Sequence, residues 1–343
     1  NLPSGFVSIQ ASNPALKWET TKEFNFGVDF SLLNNKVIGT FDYFTRETSD
    51  ILTTPPIASV VGEGQQRVLN GATTETNGWE LALAYANTFE NGLKLTVSTN
   101  FGAFKDKITA LPDEVISSYP GTLDNSIIGH SQFSIFGYKT DGLFQSQADI
   151  DASPTQVGAR PGGLKFQDLD GNGSIGVEDR DFIGTTLPDL EYGIRVNLEY
   201  KNFDFSVFGS GVAGRIGLDP YIYWNNFVQG RENAGLGVLN AWTPTNTGSN
   251  IPAASLVNND TRTSDYLYRK NSYFKVRNMS FGYSLPEEIV NKFAGMSSLR
   301  FYVQGENLFW FTPKDYIGSD PERTNVDNIP VPTTLSLGLN INF

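Results

Sequence analysis

Nine stretches of this 343-residue chain alternate apolar and polar residues with a period of two, and this alternation constrains the fold more than any other feature. The last stretch is the cleanest: Thr333, Leu335, Leu337, Leu339, Ile341 and Phe343 alternate with Thr334, Ser336, Gly338, Asn340 and Asn342. Successive side chains of a strand point to opposite faces, so each stretch reads as a strand between two different solvents. A tilted strand needs about 9–11 residues to cross a bilayer, which this stretch supplies. Alternation alone fits a transmembrane barrel and a soluble β-sandwich equally well.

The connections separate the two. Apolar positions recur at Phe24, Phe26, Val28 and Phe30, then at Val37, Gly39, Phe41 and Tyr43 beyond a tight turn at Leu33-Asn34-Asn35-Lys36. They return at Trp79 to Tyr85 and at Leu93 to Phe101, again at Leu190 to Tyr200 and from Phe203 to Val207, and finally at Met279, Phe281 and Tyr283, at Leu299, Phe301 and Val303, and in the closing stretch. Connections after the first, third, fifth and seventh strands are short. Those after the second, fourth, sixth and eighth are long, at about 53–76, 106–187, 214–271 and 312–331. Such alternation sends every long loop to one end of an up-and-down sheet, the pattern of outer-membrane barrels. The expected fold is therefore all-β: a transmembrane antiparallel up-and-down β-barrel of which 1–343 forms a carboxyl-terminal part. Nine strands do not close an even-numbered barrel, and open edges are not tolerated in lipid, so further strands are expected from outside this sequence.

Within that frame Phe274 and Val276 fall in the opposite phase to Met279, which predicts either a bulge between them or a wet upper half of the strand. A local hairpin is expected over 136–144, and one helix over 286–293, with Pro286 at its start and Glu287-Glu288 in its first turn. The carboxyl terminus is expected in the periplasm, with the loops carrying Asp168 and Trp224 outside.

Composition excludes several alternatives. No run approaches eighteen apolar residues, so no transmembrane helix is expected. The mean hydropathy of -0.26 does not bear on a barrel, which shows lipid only every second residue. With 25 Lys and Arg against 37 Asp and Glu, the net charge of -12 has the wrong sign for nucleic acid. Cysteine is absent and His130 is the only histidine, which removes thiolate metal sites and His-based triads; His130 is expected to be a solvated loop residue and the protein not an enzyme. The sequence starts at Asn1 without an apolar signal core, as expected of a processed or truncated product.

The sharpest local chemistry is Asp168-Leu-Asp170-Gly-Asn172-Gly173-Ser174-Ile175-Gly176-Val-Glu178-Asp179. It fits the D-x-[DN]-x-[DN]-G calcium loop through position seven, with a carboxylate at position twelve. Hard oxygens of Asp168, Asp170 and Asn172 at alternate positions can converge on Ca²⁺ because Gly173 permits a sharp turn. Ser174 would offer its carbonyl, Gly176 its backbone or a water, and Asp179 stands where a longer Glu is usual. A solvated Asp/Asn/Gly turn is the other reading. Tyr221, Tyr223, Trp224, Trp242, Tyr266 and Tyr268 on the external side could stack on flat-faced ligands such as sugars, or could form a girdle or a loop core. Lys94, Arg195 and Arg300 are expected to solvate a wet lumen.

Several segments resemble the second half of SusC-like TonB-dependent outer-membrane transporters. They are Asn13 to Thr21, Phe26-Gly27-Val28-Asp29, Asp42-Tyr43-Phe44, Gly137 to Phe144, Asp168 to Arg180 with Ile183-Gly184, Ser272 to Asn278, Gly282 to Pro286 and Glu306-Asn307-Leu308-Phe309. The resemblance implies strands fourteen to twenty-two of a 22-stranded barrel, with the plug and the TonB-contact segment outside this chain. It also implies a SusD-like surface lipoprotein as partner, energy from the TonB system, and import of a large nutrient, glycan or peptide. The competing expectations are a structural or adhesive outer-membrane barrel that binds a protein partner through its loops, and a soluble β-rich binding module.

Overall fold

The alternating stretches pair into one antiparallel sheet in the computed structural model, which describes residues 12–55, 67–122, 124–227, 233–255, 260–292, 295–314, 316, 318, 320–322, 329 and 331–343. Strands β1 (Thr20–Leu32), β2 (Val37–Thr53), β3 (Leu69–Thr88) and β4 (Lys94–Ala110) follow one another as hairpins. The chain then leaves the sheet through helix α1 (Asp113–Ile116), strands β5 (Ser134–Tyr138) and β6 (Thr140–Leu143), helix α2 (Gln147–Asp151), and strands β7 (Leu164–Phe166) and β8 (Arg180–Thr185). It returns as β9 (Leu190–Tyr200) and β10 (Phe203–Ala213). A second excursion comprises β11 (Ile216–Leu218), helix α3 (Pro220–Asn226), a 3-10 turn (Leu236–Asn240) and β12 (Tyr268–Lys270). Strand β13 (Tyr273–Ser284), helix α4 (Glu287–Val290), β14 (Ser298–Phe311) and β15 (Thr334–Asn342) complete the chain. Among the described residues the large sheet has nine strands in the order β1-β2-β3-β4-β9-β10-β13-β14-β15, an up-and-down meander.

Register aligns the outward aromatic residues into two rows. In the upper row Phe26 faces Tyr43 and Tyr43 faces Trp79, while Phe101 faces Tyr192 and Phe274 faces Phe311. In the lower row Tyr200 faces Phe203, Phe203 faces Tyr283 and Tyr283 faces Phe301. Tyr192 and Tyr200 bracket about nine residues, the length of a tilted crossing strand, and the rows stand where interfacial girdles belong. Gly211 lies between Tyr192 and Phe274, whose rings stack at 5.9 Å across it. A side chain there would push into that stack.

The bulge expected between Val276 and Met279 is at Arg277. On one side Phe208 faces Asn278 and Gly209 faces Val276, so Arg277 is the extra residue against β10; on the other, Glu306 faces Asn278 and Phe309 faces Val276, so Arg277 stands opposite two unpaired residues of β14, Asn307 and Leu308. The turn at Leu33, Asn34 and Asn35 takes φ of 54°, 54° and 65°, the left-handed conformation that asparagine tolerates.

Other expectations need correction. Strands β2, β3 and β4 run past the lipid band, so the first long connection spans 54–68 rather than 53–76, and the second begins after Ala110 rather than at 106. These upper strands carry polar residues on both faces, and Ala72 and Ile108 pack against the first excursion, which conceals the period. The segment 136–144 is not a hairpin: β5 pairs with β8 and β6 with β7. Helix α4 is a single turn after Pro286, Phe293 lies outside the described residues, and three further short helices occur in the excursions.

The two excursions share one core. Leu164, Phe166 and Ile175 of the first are buried with Ile222, Trp242 and Leu267 of the second. A smaller cluster of Ala72, Ile108, Leu111, Val115 and Ile127 seals this body onto the tops of β3 and β4.

Candidate functional site

The Asp168 loop is wound by its own backbone. Asp168 accepts from the N–H groups of Gly171 (2.7 Å) and Gly173 (2.8 Å), and both glycines take positive φ. The bond from Gly173 is the main cause that holds the Asp168 carboxyl below its usual range. Asn172 accepts from Ser174 N–H (2.8 Å) and its hydroxyl (2.7 Å), and donates its amide to Asp170 (2.7 Å). Asp179 is fully buried and closes the loop, accepting from Leu169 N–H (2.7 Å) and from Gly176 N–H (2.7 Å). Gly173 and Ile175 bond to Thr155, and the Ile175 side chain enters the shared core, so the loop is fastened to the body.

The donor set suits a hard cation. Asp168, Asp170 and Asp179 each offer a carboxylate oxygen within 4.8 Å of the others. Ligands about 2.3–2.6 Å from one Ca²⁺ stand no further apart than this geometry allows. Asn172 and Ser174 belong to the same loop but bond to each other, and Asp179 engages both its oxygens with backbone N–H groups instead of leaving them free for bidentate closure.

The aromatic candidates separate. Trp242 and Tyr266 are buried in the shared core, with Tyr223 and Tyr268 packed against it, so these four are loop-core residues and not an exposed stacking platform. Trp242 Nε1 donates to Gln145 Oε1 at 3.0 Å, tying the excursions together. Burial pushes the Tyr266 hydroxyl pKa up. Tyr221 follows the Asp219 cap of α3, accepting no exposed role from its half-buried place, and the Trp224 side chain lies outside the described residues. His130 is also corrected: it is half-buried, with its ring stacked on Phe182 at 3.8 Å.

On the opposite face of the sheet, polar residues pair with one another. Arg300 reaches across Gly282 to Asp204 with two bonds of 2.8 and 2.6 Å, Lys94 meets Glu199 at 3.1 Å, and Arg195 covers the Phe208 ring at 5.1 Å. Beyond the expected polar lining of the lumen, cross-strand register gives each of these three a partner. Asp42 faces Glu80 directly on this face.

Local patterns gave no sign of the strongest cluster. Lys275 and Asp320 are both fully buried and 3.1 Å apart, and Glu322 takes Arg277 Nη1 at 2.7 Å and the Tyr273 hydroxyl at 2.9 Å. Burial alone would raise the Glu322 pKa, but the hydrogen bonds from Arg277, Tyr273 and Lys275 outweigh it and hold the carboxyl at about 2. Arg215 adds a 2.7 Å bond to the Pro321 carbonyl. The cluster straps the last long connection to β13. Only the bulge at Arg277, which aims that side chain and Asn278 to one face, was readable beforehand.

Comparison with known proteins agrees with this architecture. A family model described as TonB dependent receptor-like, beta-barrel matches residues 2–308. TonB-dependent receptor P3 of Formosa agariphila is 34% identical over 364 residues, 99% of this chain and 36% of that protein. TonB-dependent receptor SusC of Bacteroides thetaiotaomicron is 27% identical over 345 residues, 97% of this chain and 33% of that protein. The RagAB peptide importer in its open-open state has the same fold, with a TM-score of 0.77 and 21% identity over 97% of this chain and 36% of that one. The chain spans about a third of the length of the curated relatives it matches.

Proposed function

Because this chain belongs to the TonB-dependent receptor-like β-barrel family of the outer membrane, and within it is SusC-like, we propose that it supplies wall and external loops to a transporter that imports a large nutrient, a glycan or a peptide. One observation carries the reading: both large excursions leave the same end of the strands and merge into one packed body, above a polar face lined by cross-strand ion pairs. A solid body at one mouth and a wet wall beneath suit capture followed by passage. The long connections are then external and the carboxyl terminus periplasmic. A SusD-like surface lipoprotein closes over the body, and the TonB system supplies energy through parts of the polypeptide outside this sequence. Deleting the gene should abolish growth on the imported glycan or peptide as sole source, and restoring the full-length protein should return it. Unchanged growth on every such nutrient, with loss of adhesion instead, would favour the adhesive barrel.

The Asp168 loop is proposed to hold Ca²⁺ in a structural role. Asp168, Asp170 and Asp179 would hold the ion, which would cross-link the loop without taking part in chemistry. Calorimetry of the full-length protein should show Ca²⁺ binding that Asp170→Asn weakens; no heat at millimolar Ca²⁺ would refute it.

A further inference from the structure

The lipid-facing side of the sheet carries a second pattern above its aromatic row. Lys22 faces Glu47, Glu47 faces Glu75, and Glu75 faces Lys107, so four charged side chains stand in one cross-strand line. All four share the face of Phe26, Tyr43 and Trp79, displaced by four residues along each strand. Lys105 lies on the same face of β4, between Lys107 and the aromatic level. The lysine ends are held but open: Lys22 is 3.8 Å from Glu47, Lys107 is 2.7 Å from Glu75 and Lys105 is 3.7 Å from Asp189. Each ammonium has three donors, and one carboxylate leaves the others free.

Height identifies what this line meets. Four residues at 3.3 Å each, tilted as in a barrel, lift it about 10 Å above the aromatic row. The headgroup layer beyond the hydrocarbon is roughly 5–7 Å deep, so the line stands at its outer limit. Higher still, Trp18 stands two residues before β1 with its backbone clamped. Asn70 bonds both the N–H and carbonyl of Lys17 at 2.9 and 2.8 Å, Lys17 meets Asp50 at 2.9 Å, and Glu19 accepts from Leu52 N–H at 2.8 Å. Eight residues above Phe26, Trp18 is about 20 Å beyond the girdle, past any phospholipid headgroup.

We propose that this outer wall is a docking surface for the phosphorylated glycolipid of the outer leaflet. Lys22, Lys105 and Lys107 take its phosphates, Glu47 and Glu75 face the divalent cations that bridge those phosphates, and Trp18 stacks on the sugars beyond them. A line with both signs of charge complements a leaflet whose phosphates are cross-linked by cations, and an indole presents an apolar face to a pyranose ring. The inference rests on the reading that the long connections are external.

The test uses the purified full-length transporter in detergent with Mg²⁺, titrated with lipopolysaccharide and read by its thermal midpoint and by bound lipid in native mass spectrometry. Lipopolysaccharide should raise the midpoint where phosphatidylethanolamine does not. Lys22→Gln with Lys107→Gln should weaken its binding about fivefold to tenfold. Trp18→Ala should weaken binding of the sugar-bearing glycolipid but not of lipid A without core sugars. All these positions are on the surface, and retained heat-modifiability of the variants reports folding separately. Undiminished lipopolysaccharide binding by the lysine variant, or equal stabilisation by phosphatidylethanolamine, would overturn the proposal. Gly248→Cys, at an open position of the second excursion, is labelled from outside on intact cells if the orientation is right. Labelling only after permeabilisation would instead overturn the orientation.

Discussion

The wall and the body above it answer the same hydrophobic effect with opposite arrangements. On the wall the apolar residues are the exposed ones: inside the sheet Phe281 is 47% and Phe203 46% accessible, while Asp204 and Gly282 beside them face the wet side. In the body formed by the excursions, Phe144 and Leu164 are each 1% exposed, and the carboxylates buried with them, Asp179, Asp219 and Asp260, are each hydrogen-bonded or ion-paired within the protein. Lipid solvates the first set and only protein can solvate the second. A substitution should therefore have opposite consequences in the two regions, which makes the contrast breakable.

The largest effect is expected in the body. Trp242→Ala removes an indole packed against Gly162 and bonded to Gln145, and should cost about 3–5 kcal/mol of the body's stability. Limited proteolysis should then cut within the excursions, while the heat-modifiable band of the barrel persists. Loss of both together would mean that the regions do not fold separately. On the wall, Leu337→Arg places a cation in lipid and should cost about 2–4 kcal/mol, whereas Ser336→Arg, turned to the wet face opposite Gln304, should be milder. Urea titration in bilayers would compare them, and equal losses would contradict the facial assignment. A smaller effect tests the wet face itself. A Cβ at Gly282 would come within 2.4 Å of both Arg300 and Asp204, so Gly282→Ala should part this pair and cost about 1–2 kcal/mol in the same assay.

What could be read in the sequence divides along the same line. Residues 190–200 declare a strand because two solvents impose two compositions on its faces, and the phase change from Val276 to Met279 declares the bulge. Residues 69–78 declare nothing, since the top of β3 is polar on both faces and Ala72 is buried against the first excursion, a partner that no local pattern announces. The Asp168 loop was legible because its bonds close within twelve positions of one another. Trp242 was not: an exposed platform and a buried core use the same aromatic residues, and only the contacts with Leu164 and Phe166, far away in sequence, distinguish them. Lys275 and Asp320 are 45 positions apart and nothing local announces their pairing.

The strap ties the last long connection to the wall at β13, and its response to acid is the smallest expected effect. Glu322 has its carboxyl held from an ordinary 4.5 down to about 2, chiefly by Arg277, against the opposing effect of burial. A depressed pKa stabilises the docked connection fully above about 4.5, and this contribution fades as pH falls from there through about 2. Hydrogen exchange around residues 320–322, normalised to the intrinsic amide rate at each pH, should be flat from neutral pH down to about 4.5 and rise below it, with the barrel strands unaffected. Arg277→Gln removes the bidentate partner and should move the rise towards higher pH, while Glu322→Gln should make exchange faster at neutral pH and remove its acid dependence. A rise that survives Glu322→Gln would assign the acid response to another group. A rise that spreads into β13 and β14 at the same pH would show that the strap stabilises the wall as well as the connection, and the division between the two regions would then lie above β13 rather than at it.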